Sequence, residues 1–282
     1  MGTAIGVRLL DQGCAVTFFD PAPGAGAELV VSGGQAAASA AQAATDADFV
    51  LTSLNSAAVV EQAVFGAHGI VHCATADKLL IDMSSIDPGQ TAIMAARLDS
   101  ACGMGWVDAP LSGGAPAARA GTMTLMLGGA NDHVARAEPV LALLSARRTH
   151  FGPAGSGQTV KLVNQLLCAA NFLAVAEAVR FAESNGIDAA LIPDALAGGR
   201  ADSAILREFM GKMARRDYTP TGRIDNMLKD LETVQASALA SRTPLPLTGL
   251  VADLHRMLVA GGFGPADSAE YMQLFDLGQS AS

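Results

Sequence analysis

The chain has 282 residues, half of them hydrophobic, which is enough for one large domain or two smaller ones. Its formal net charge of −9 makes nucleic acid a poor partner, because an acidic surface repels phosphate backbones. Its four cysteines form no CxxC pair and its histidines are scattered, so we expect no metal site, reduced thiols and a cytoplasmic location.

The first half of the chain alternates helix and strand signals. It opens with a helix-like stretch, TAIGVRLLDQG, and four short β-rich runs follow, separated by helix-like residues such as 56–65 and 89–102. A fifth run alternates apolar residues with threonine. The pattern predicts an α/β domain over residues 1–153, with a doubly wound, Rossmann-type, mostly parallel sheet. The predicted strands are 14–20, 47–54, 78–85, 105–110 and 121–129.

The second half has a helical character, and we expect an all-helical C-terminal domain over residues 154–282. A long apolar helix is predicted from Ser156 to Ser184, ending before Asn185-Gly186, and further helices follow between glycine and proline breaks. The apolar run 166–179 contains Asn171 and Glu177, which favours a core helix, so we expect no membrane segment. Long apolar helices in a small domain favour a homodimer or homotetramer.

The strand that ends at Asp20 resembles the second strand of a dinucleotide-binding unit. An acid at this position bonds the ribose hydroxyls of NAD, and neither arginine nor lysine follows in DPAPGAG to hold a 2′-phosphate. NAD is therefore favoured over NADP. The chain begins with Met1-Gly2 directly before a helix, so we expect the first strand of this unit to be missing.

Several ordered segments resemble the 3-hydroxyisobutyrate dehydrogenase family, also called β-hydroxyacid dehydrogenases. They are DMSS at residues 82–85, DAPLSGG at 108–114, GTMTLMLGG at 121–129, GSGQTVKLVNQ at 155–165 and KDL at 229–231. The resemblance covers nearly the whole chain. Met1-Gly2 matches only the end of the family's GLGxMG turn. Two further departures are TSLN at residues 52–55, where the family often has TMLP, and Gly222, where an aromatic residue is common.

The resemblance implies that Lys161 is the general acid/base of a hydride-transfer reaction. Its position in an apolar helix fits this role, because burial lowers the pKa of a lysine towards the working pH. Asn164 follows three residues later, on the same face of the helix, and is expected to hold the substrate hydroxyl or the lysine. Ser112, Gly113 and Gly114 are expected to bind the acid group of the substrate, with Ser112 also counted as catalytic.

The resemblance also assigns residues to the cofactor and to the substrate cleft. Asp230 is expected to bind substrate, and Lys229 to lie near the nicotinamide. The glycine-rich segment GPAGSGQT has the spacing of a phosphate-binding loop, but Gln158 stands where that loop requires lysine, so we do not expect a phosphate site there. The residues expected to contact NAD are Met1, Gly2, Asp20, Leu54, Asn55, Ser85 and Lys229.

The sequence therefore predicts an oxidoreductase that transfers a hydride between NAD and a small 3-hydroxy acid or the matching semialdehyde. The alternatives are a non-catalytic or cofactor-impaired relic of the same fold, and another superfamily member, such as an imine reductase or a phosphogluconate-type reductase. The chain has valine before Asn164 where the phosphogluconate enzymes have histidine, and it keeps Lys161, which imine reductases usually replace.

Overall fold

The computed structural model of the chain describes residues 1–275 and contains two compact units. The first unit spans Met1–Lys161, and the second begins at Leu162. The dividing point lies inside a long helix, so the first residues of that helix belong to the α/β unit.

The first unit contains a short parallel pair of strands and a larger six-stranded sheet. β1 pairs with β2, and the larger sheet has the order β3-β4-β5-β7-β6, with β8 beside β7. β3, β4 and β5 are parallel, whereas β7 runs antiparallel to β5 and β6. The strands are β1 Thr17–Phe18, β2 Gln35–Ala36, β3 Phe49–Thr52, β4 Leu79–Asp82, β5 Gly105–Asp108, β6 Leu111–Ser112, β7 Met123–Gly129 and β8 Ser145–His150.

The helices of the first unit cover both faces of the larger sheet. Ile81 of β4 contributes to a cluster with Leu9 and Leu141 on one face, whereas Leu80 packs with Val60 and Leu98 on the other. Successive strand residues point to opposite faces, so a strand covered on both sides is apolar throughout. These helices are α1 Gly2–Asp11, α2 Ala27–Val31, α3 Ala40–Ala44, α4 Ala57–Phe65, α5 Pro88–Cys102, α6 Gly114–Ala120 and α7 Asn131–Leu144.

The sheet confirms the doubly wound α/β architecture and corrects it in detail. All five predicted strands form, although the first is only two residues long, and β7 is antiparallel to its neighbour β5. β2, β6 and β8 were not predicted. Helix α1 begins at Gly2, and β1 and β2 form a pair separate from the larger sheet.

The second unit is built from helices around one apolar core. Phe172 is part of this core, and its ring meets that of Phe209 edge-to-face with centroids 4.7 Å apart. The buried carboxylate of Asp267 accepts hydrogen bonds from the backbone of Gly222 and Ala269 and pairs with Lys212. The helices are α8 Ser156–Ser184, whose first residues belong to the first unit, α9 Ile192–Leu196, α10 Ala204–Ala214, α11 Ile224–Ser241 and α12 Pro246–Leu258.

Helix α8 has the predicted bounds, Ser156–Ser184, and contains the apolar run 166–179. Within residues 1–275 it is the one helix that has the length and composition to cross a membrane, with a mean hydropathy of 1.6 in its most apolar window. Core helices of folded domains meet the same criterion, and 39% of this window is buried. Phe172, Val175 and Val179 pack into the core of the second unit, as expected for a core helix.

Candidate functional site

The carboxyl ends of β3, β4 and β5 carry a row of buried polar side chains. Thr52, Asp82 and Asp108 are register partners across the three strands. The Thr52 hydroxyl donates to Asp82 Oδ1 at 2.8 Å, and the Ser84 backbone N–H donates to the same oxygen at 3.1 Å. Burial raises the pKa of the Asp82 carboxyl, and the hydrogen bonds from Ser84 and Thr52 offset only part of this effect.

These bonds fix the loops that follow β3 and β4. The backbone N–H of Leu54 donates to Ser84 Oγ at 2.9 Å, so the two loop starts are joined directly. Leu54 and Ser85 are partly buried, and Asn55 is exposed. The structure thus gathers three of the predicted cofactor residues at one edge of the sheet, which is where open α/β sheets bind ligands.

The remaining residues of the first unit that the sequence assigned to the cofactor lie at the start of α1 and just after β1. Met1 and Gly2 are exposed at the start of this helix. Asp20 follows β1 and is exposed, and its Oδ1 accepts a hydrogen bond from the backbone N–H of Ala22 at 2.9 Å. An exposed carboxylate after a strand and an exposed helix start are groups that suit a dinucleotide, so these residues fit the cofactor predicted from the sequence.

Ser112, Gly113 and Gly114 form the turn between β6 and α6. Gly113 and Gly114 both have positive φ values, 117° and 67°. A Cβ atom at Gly113 would lie 2.6 Å from the Ala117 side chain, so only glycine fits there. Ser112 is partly buried and Gly113 is exposed. The segment therefore combines a hydroxyl with exposed backbone, as required of a site for an acid group.

Lys161 reaches the segment that leads into this turn. Its Nζ donates a 2.8 Å hydrogen bond to the backbone carbonyl of Leu111, the residue before Ser112. Leu111 is buried and Lys161 is partly buried. The structure thus brings Lys161 close to Ser112 within the first unit, although 49 positions separate them in the sequence.

The start of α8 is attached to the strand ends by side chains that sequence reasoning missed. Asp108 Oδ1 accepts from the backbone N–H of Gly155 at 2.8 Å, and Oδ2 accepts from that of Gln158 at 3.0 Å. Burial raises the pKa of the Asp108 carboxyl, and the backbone hydrogen bonds oppose this effect. The Gln158 side chain donates to the carbonyl of Ser84 at 2.8 Å and accepts from Ile86 N–H at 3.2 Å.

In the second unit, the predicted residues form a chain of polar contacts. Asn164 Nδ2 donates to the Gln165 side-chain oxygen at 2.8 Å, and Gln165 Nε2 donates to Asp230 Oδ2. Asp230 is buried, and its Oδ1 pairs with Lys229 Nζ at 2.9 Å. Gln165 was not singled out from the sequence, although it joins Asn164 to the KDL segment. Its position directly after Asn164 in the motif was the available signal.

Comparison with known proteins gives matches along nearly the whole chain. The family model for the NAD binding domain of 6-phosphogluconate dehydrogenase matches residues 1–152, and that for the NAD-binding of NADP-dependent 3-hydroxyisobutyrate dehydrogenase matches residues 155–275. The 2-hydroxy-3-oxopropionate reductase of Escherichia coli is 33% identical, over 98% of this chain and 94% of the relative. The mitochondrial 3-hydroxyisobutyrate dehydrogenase of Mus musculus is 31% identical over 97% and 83%.

A solved structure is also similar over nearly its full length. The 3-hydroxyisobutyrate dehydrogenase of Mycobacterium tuberculosis, determined with L-serine, superposes with a TM-score of 0.87 at 29% identity. The match covers 98% of this chain and 95% of that one. The similarity thus extends over both units of the chain.

Proposed function

Since the chain belongs to the β-hydroxyacid dehydrogenase family, whose members are nicotinamide-dependent oxidoreductases, we propose that it transfers a hydride between NAD and a small 3-hydroxy acid, with Lys161 as the general acid/base. In the oxidative direction, the neutral amine of Lys161 accepts the hydroxyl proton of the substrate as the carbinol carbon loses its hydride. In the reverse direction, the lysine ammonium protonates the oxygen of the semialdehyde.

The observation that carries this proposal is the contact between Lys161 and the strand that leads into the Ser112 turn. The hydrogen bond to the Leu111 carbonyl holds the amine beside a segment with a hydroxyl and exposed backbone. A proton-transfer group must lie within hydrogen-bond reach of the substrate oxygen, and a fixed amine next to an acid-binding turn meets that requirement. Ser112, Gly113 and Gly114 then bind the carboxylate of the substrate.

Asn164 and Asp230 are also proposed to bind substrate. Asn164 follows Lys161 by three residues on α8, so its amide is suited to hold the substrate hydroxyl. The bond from Gln165 to Asp230, and the ion pair of Asp230 with Lys229, restrain the side chains around that amide. Fixed orientation of such groups lowers the entropic part of a reaction barrier.

The proposed cofactor contacts come from residues that the fold exposes at strand and helix ends. Asp20 would accept hydrogen bonds from the ribose of the adenosine half, Met1 and Gly2 at the start of α1 would bind the pyrophosphate, and Leu54, Asn55 and Ser85 would contact the nicotinamide half. Lys229 is also proposed to contact the cofactor. When bound, the nicotinamide ring accepts or donates the hydride.

NAD is proposed over NADP because of Asp20. A carboxylate at this position repels a 2′-phosphate, and residues 21–26 supply neither arginine nor lysine to offset that repulsion. The substrate is proposed to be a three- or four-carbon hydroxy acid or its semialdehyde. The compounds to test are 3-hydroxyisobutyrate, 2-hydroxy-3-oxopropionate, L-serine, L-threonate and succinic semialdehyde.

Replacement of Lys161 tests the proposed role most directly. Lys161→Ala is expected to lower turnover by roughly 10²–10⁴-fold, because general acid/base catalysis contributes about that factor. Lys161→Arg keeps the positive charge but cannot release a proton at ordinary pH, so it is expected to be similarly impaired. NADH binding, followed by nicotinamide fluorescence, is expected to survive in both variants. Near-normal turnover in either one would refute the role of Lys161.

The cofactor proposal is tested by titrating the purified chain with NADH and, in parallel, with NADPH. Tighter binding of NADH is expected, because Asp20 favours free ribose hydroxyls. A folded sample that binds neither nucleotide would contradict the enzymatic proposal as a whole. A sample that binds NADPH more tightly would overturn only the choice of cofactor.

We also propose that a second copy of the chain covers an apolar stripe on α8. Val163, Leu167 and Phe181 lie on one side of this helix and are 48%, 55% and 73% exposed. Large contiguous apolar patches on a soluble protein usually mark an interface. Sedimentation of the purified chain is expected to give a dimer or tetramer, and Phe181→Asp is expected to shift it towards monomer. A monomeric wild-type protein would contradict this assignment.

A further inference from the structure

Gln158 is a fully enclosed polar side chain outside the set of residues assigned above. It is 1% exposed, and both ends of its amide have partners on the loop that follows β4. Its Nε2 donates to the Ser84 carbonyl at 2.8 Å, and its Oε1 accepts from the Ile86 N–H at 3.2 Å. A buried amide with both functions satisfied is rigid, because every alternative orientation leaves polar groups without partners.

The backbone of the same residue is held from a second strand. Its N–H donates to Asp108 Oδ2 at 3.0 Å, and the Gly155 N–H donates to Asp108 Oδ1 at 2.8 Å. The first turn of α8 is therefore tied to β5 through its backbone and to the end of β4 through the Gln158 side chain. All of these contacts lie within the first unit.

We propose that Gln158 is a positioning residue that fixes Lys161 relative to the strand ends carrying Ser84 and Ser112. The inference rests on the proposed acid/base function of Lys161, which stands three residues after Gln158 on the same helix. One turn separates the two, so rotation or sliding of the helix start moves the lysine amine directly.

The chemistry of the side chain explains why an amide stands here. The loop after β4 presents a carbonyl at Ser84 and an N–H at Ile86, and glutamine offers one donor and one acceptor at matching ends. Lysine offers only donors and would leave the Ile86 N–H without a partner. Gln158 stands where a phosphate-binding loop would have lysine, and its amide is what the contacts with Ser84 and Ile86 require.

The kinetic test is a double-mutant cycle between positions 158 and 161. Gln158→Met keeps the length of the side chain and removes both hydrogen bonds, and it is expected to lower kcat by about 10- to 100-fold with a much smaller change in KM, because misplacement of a catalytic group by about 1 Å has that effect. In a Lys161→Ala background, the same change is expected to alter the residual turnover by less than about twofold, since residues that act as a unit are not additive.

A matched control lies in the same helical turn. Thr159 is exposed, and its hydroxyl donates only within the turn, to the Gly155 carbonyl at 3.0 Å. Thr159→Ala is expected to leave kcat unchanged within about twofold. If Gln158→Met does not fold, Gln158→Glu replaces it, measured at a pH where the new carboxyl group is ionised, because an ionised glutamate keeps the acceptor for Ile86 and loses the donor to Ser84.

A second measurement reports the position of Lys161 without any substrate. Reductive methylation with formaldehyde and cyanoborohydride, followed by mass spectrometry, gives the labelling rate of Lys161 relative to Lys78, whose Nζ donates to the Ala44 carbonyl. Gln158→Met is expected to raise this ratio by about 3- to 10-fold, the gain for releasing an amine from one hydrogen bond. Thr159→Ala is expected to leave it unchanged.

The outcomes separate this inference from the proposed function. If Lys161→Ala stays active, the acid/base role of Lys161 is refuted, regardless of the result for Gln158→Met. If Lys161→Ala is inactive, but Gln158→Met has wild-type kcat and labelling ratio, the positioning role alone is overturned. Equal losses of turnover from Gln158→Met in both backgrounds would likewise overturn it, because they would indicate a general structural role.

Discussion

Replacing Gly157 with alanine tests how closely the first turn of α8 is fitted to the sheet. A Cβ atom at this position would lie 2.3 Å from the Met126 carbonyl oxygen, 2.8 Å from Asp108 Oδ2 and 2.9 Å from the Asp108 carbonyl oxygen. Two of these three atoms are backbone and cannot rotate away. To regain a contact of about 3.3 Å, the helix start must move by about 1 Å.

That displacement has two separate costs. Overpacking of a well-fitted site destabilises a fold by about 1–3 kcal/mol. Each kcal/mol corresponds to a decrease in Tm of roughly 2–4 °C in a unit of this size. The movement also carries Lys161 with it, and a shift of about 1 Å in a catalytic group lowers turnover by up to about 10²-fold. Gly157→Ala is therefore expected to lower both the free energy of unfolding and the turnover number.

The assay combines urea denaturation with turnover measured well below the melting temperature. Gly249→Ala is the matched control, because this glycine also lies within a helix and a Cβ there meets nothing within 4 Å. Alanine in an open helical position is expected to add about 0.5–1 kcal/mol of stability. If Gly157→Ala leaves both the unfolding free energy and kcat at wild-type values, the close fit of α8 against Asp108 and Met126 is refuted.

Two further predictions concern buried carboxyl groups in the two units. Burial raises the pKa of Asp82 in the folded state, so the unfolded chain loses this proton at a lower pH than the folded protein does. The free energy of unfolding therefore falls as the pH rises from the pKa of the unfolded state through the raised pKa of the folded state. Asp82→Asn removes this titrating group, so the free energy of unfolding measured between pH 4 and 8 is expected to decline less steeply than in the wild-type protein. An unchanged dependence on pH would contradict the raised pKa of Asp82. Burial opposes ionisation of Asp267, but hydrogen bonds from Ala269, Thr221 and Gly222 outweigh this effect and lower its pKa in the folded state. The ionised carboxylate therefore stabilises the fold at pH values above the pKa of the unfolded state. This stabilisation is lost as the pH falls through the pKa of the folded state. Asp267→Asn is expected to cost about 1–3 kcal/mol at pH 7, with a difference that shrinks in acid; a difference independent of pH would refute this account.

The interior of the fold could be read from the sequence because its signals are local. β4 and β5 are buried along their whole length, and short apolar runs between helices are typical of parallel strands covered on both faces. Helix α8 was predicted with its observed bounds, because its apolar run is followed by Asn185-Gly186.

The edge strands could not be predicted in this way. β8 has the sequence SARRTH and is largely exposed, with no apolar alternation. It forms because β7 offers a row of backbone partners, with pairs such as Leu125 with Arg148. β2 is two residues long and carries no signal of its own. Pairing across the sheet, rather than intrinsic preference, determines both strands.

The site shows the same division between local and distant signals. Ser112 and Lys161 could be selected through motifs, and the structure brings Lys161 to the residue before Ser112. Asp108 was read only as part of a strand motif, because its partners Gly155 and Gln158 lie 47 and 50 residues away. A short segment of sequence never contains both residues of such a contact, so local patterns cannot predict it. The polar residues that support the proposed catalytic lysine are therefore harder to find from sequence than the lysine itself.

The phosphate-loop spacing of GPAGSGQT has a physical explanation in the same contacts. A glycine-rich turn before a helix directs unpaired backbone N–H groups at one point, and an anion normally occupies that point. Here the Asp108 carboxyl group occupies it, accepting from Gly155 and Gln158, while Gly157 leaves room for its close approach. The glycines thus serve the attachment of a helix to a strand end, and the side chain of Gln158 extends that attachment to the neighbouring strand. The segment GPAGSGQT lacks the lysine that phosphate binding requires, and in this protein its contacts with Asp108 and Ser84 instead fix the position of Lys161 relative to the sheet.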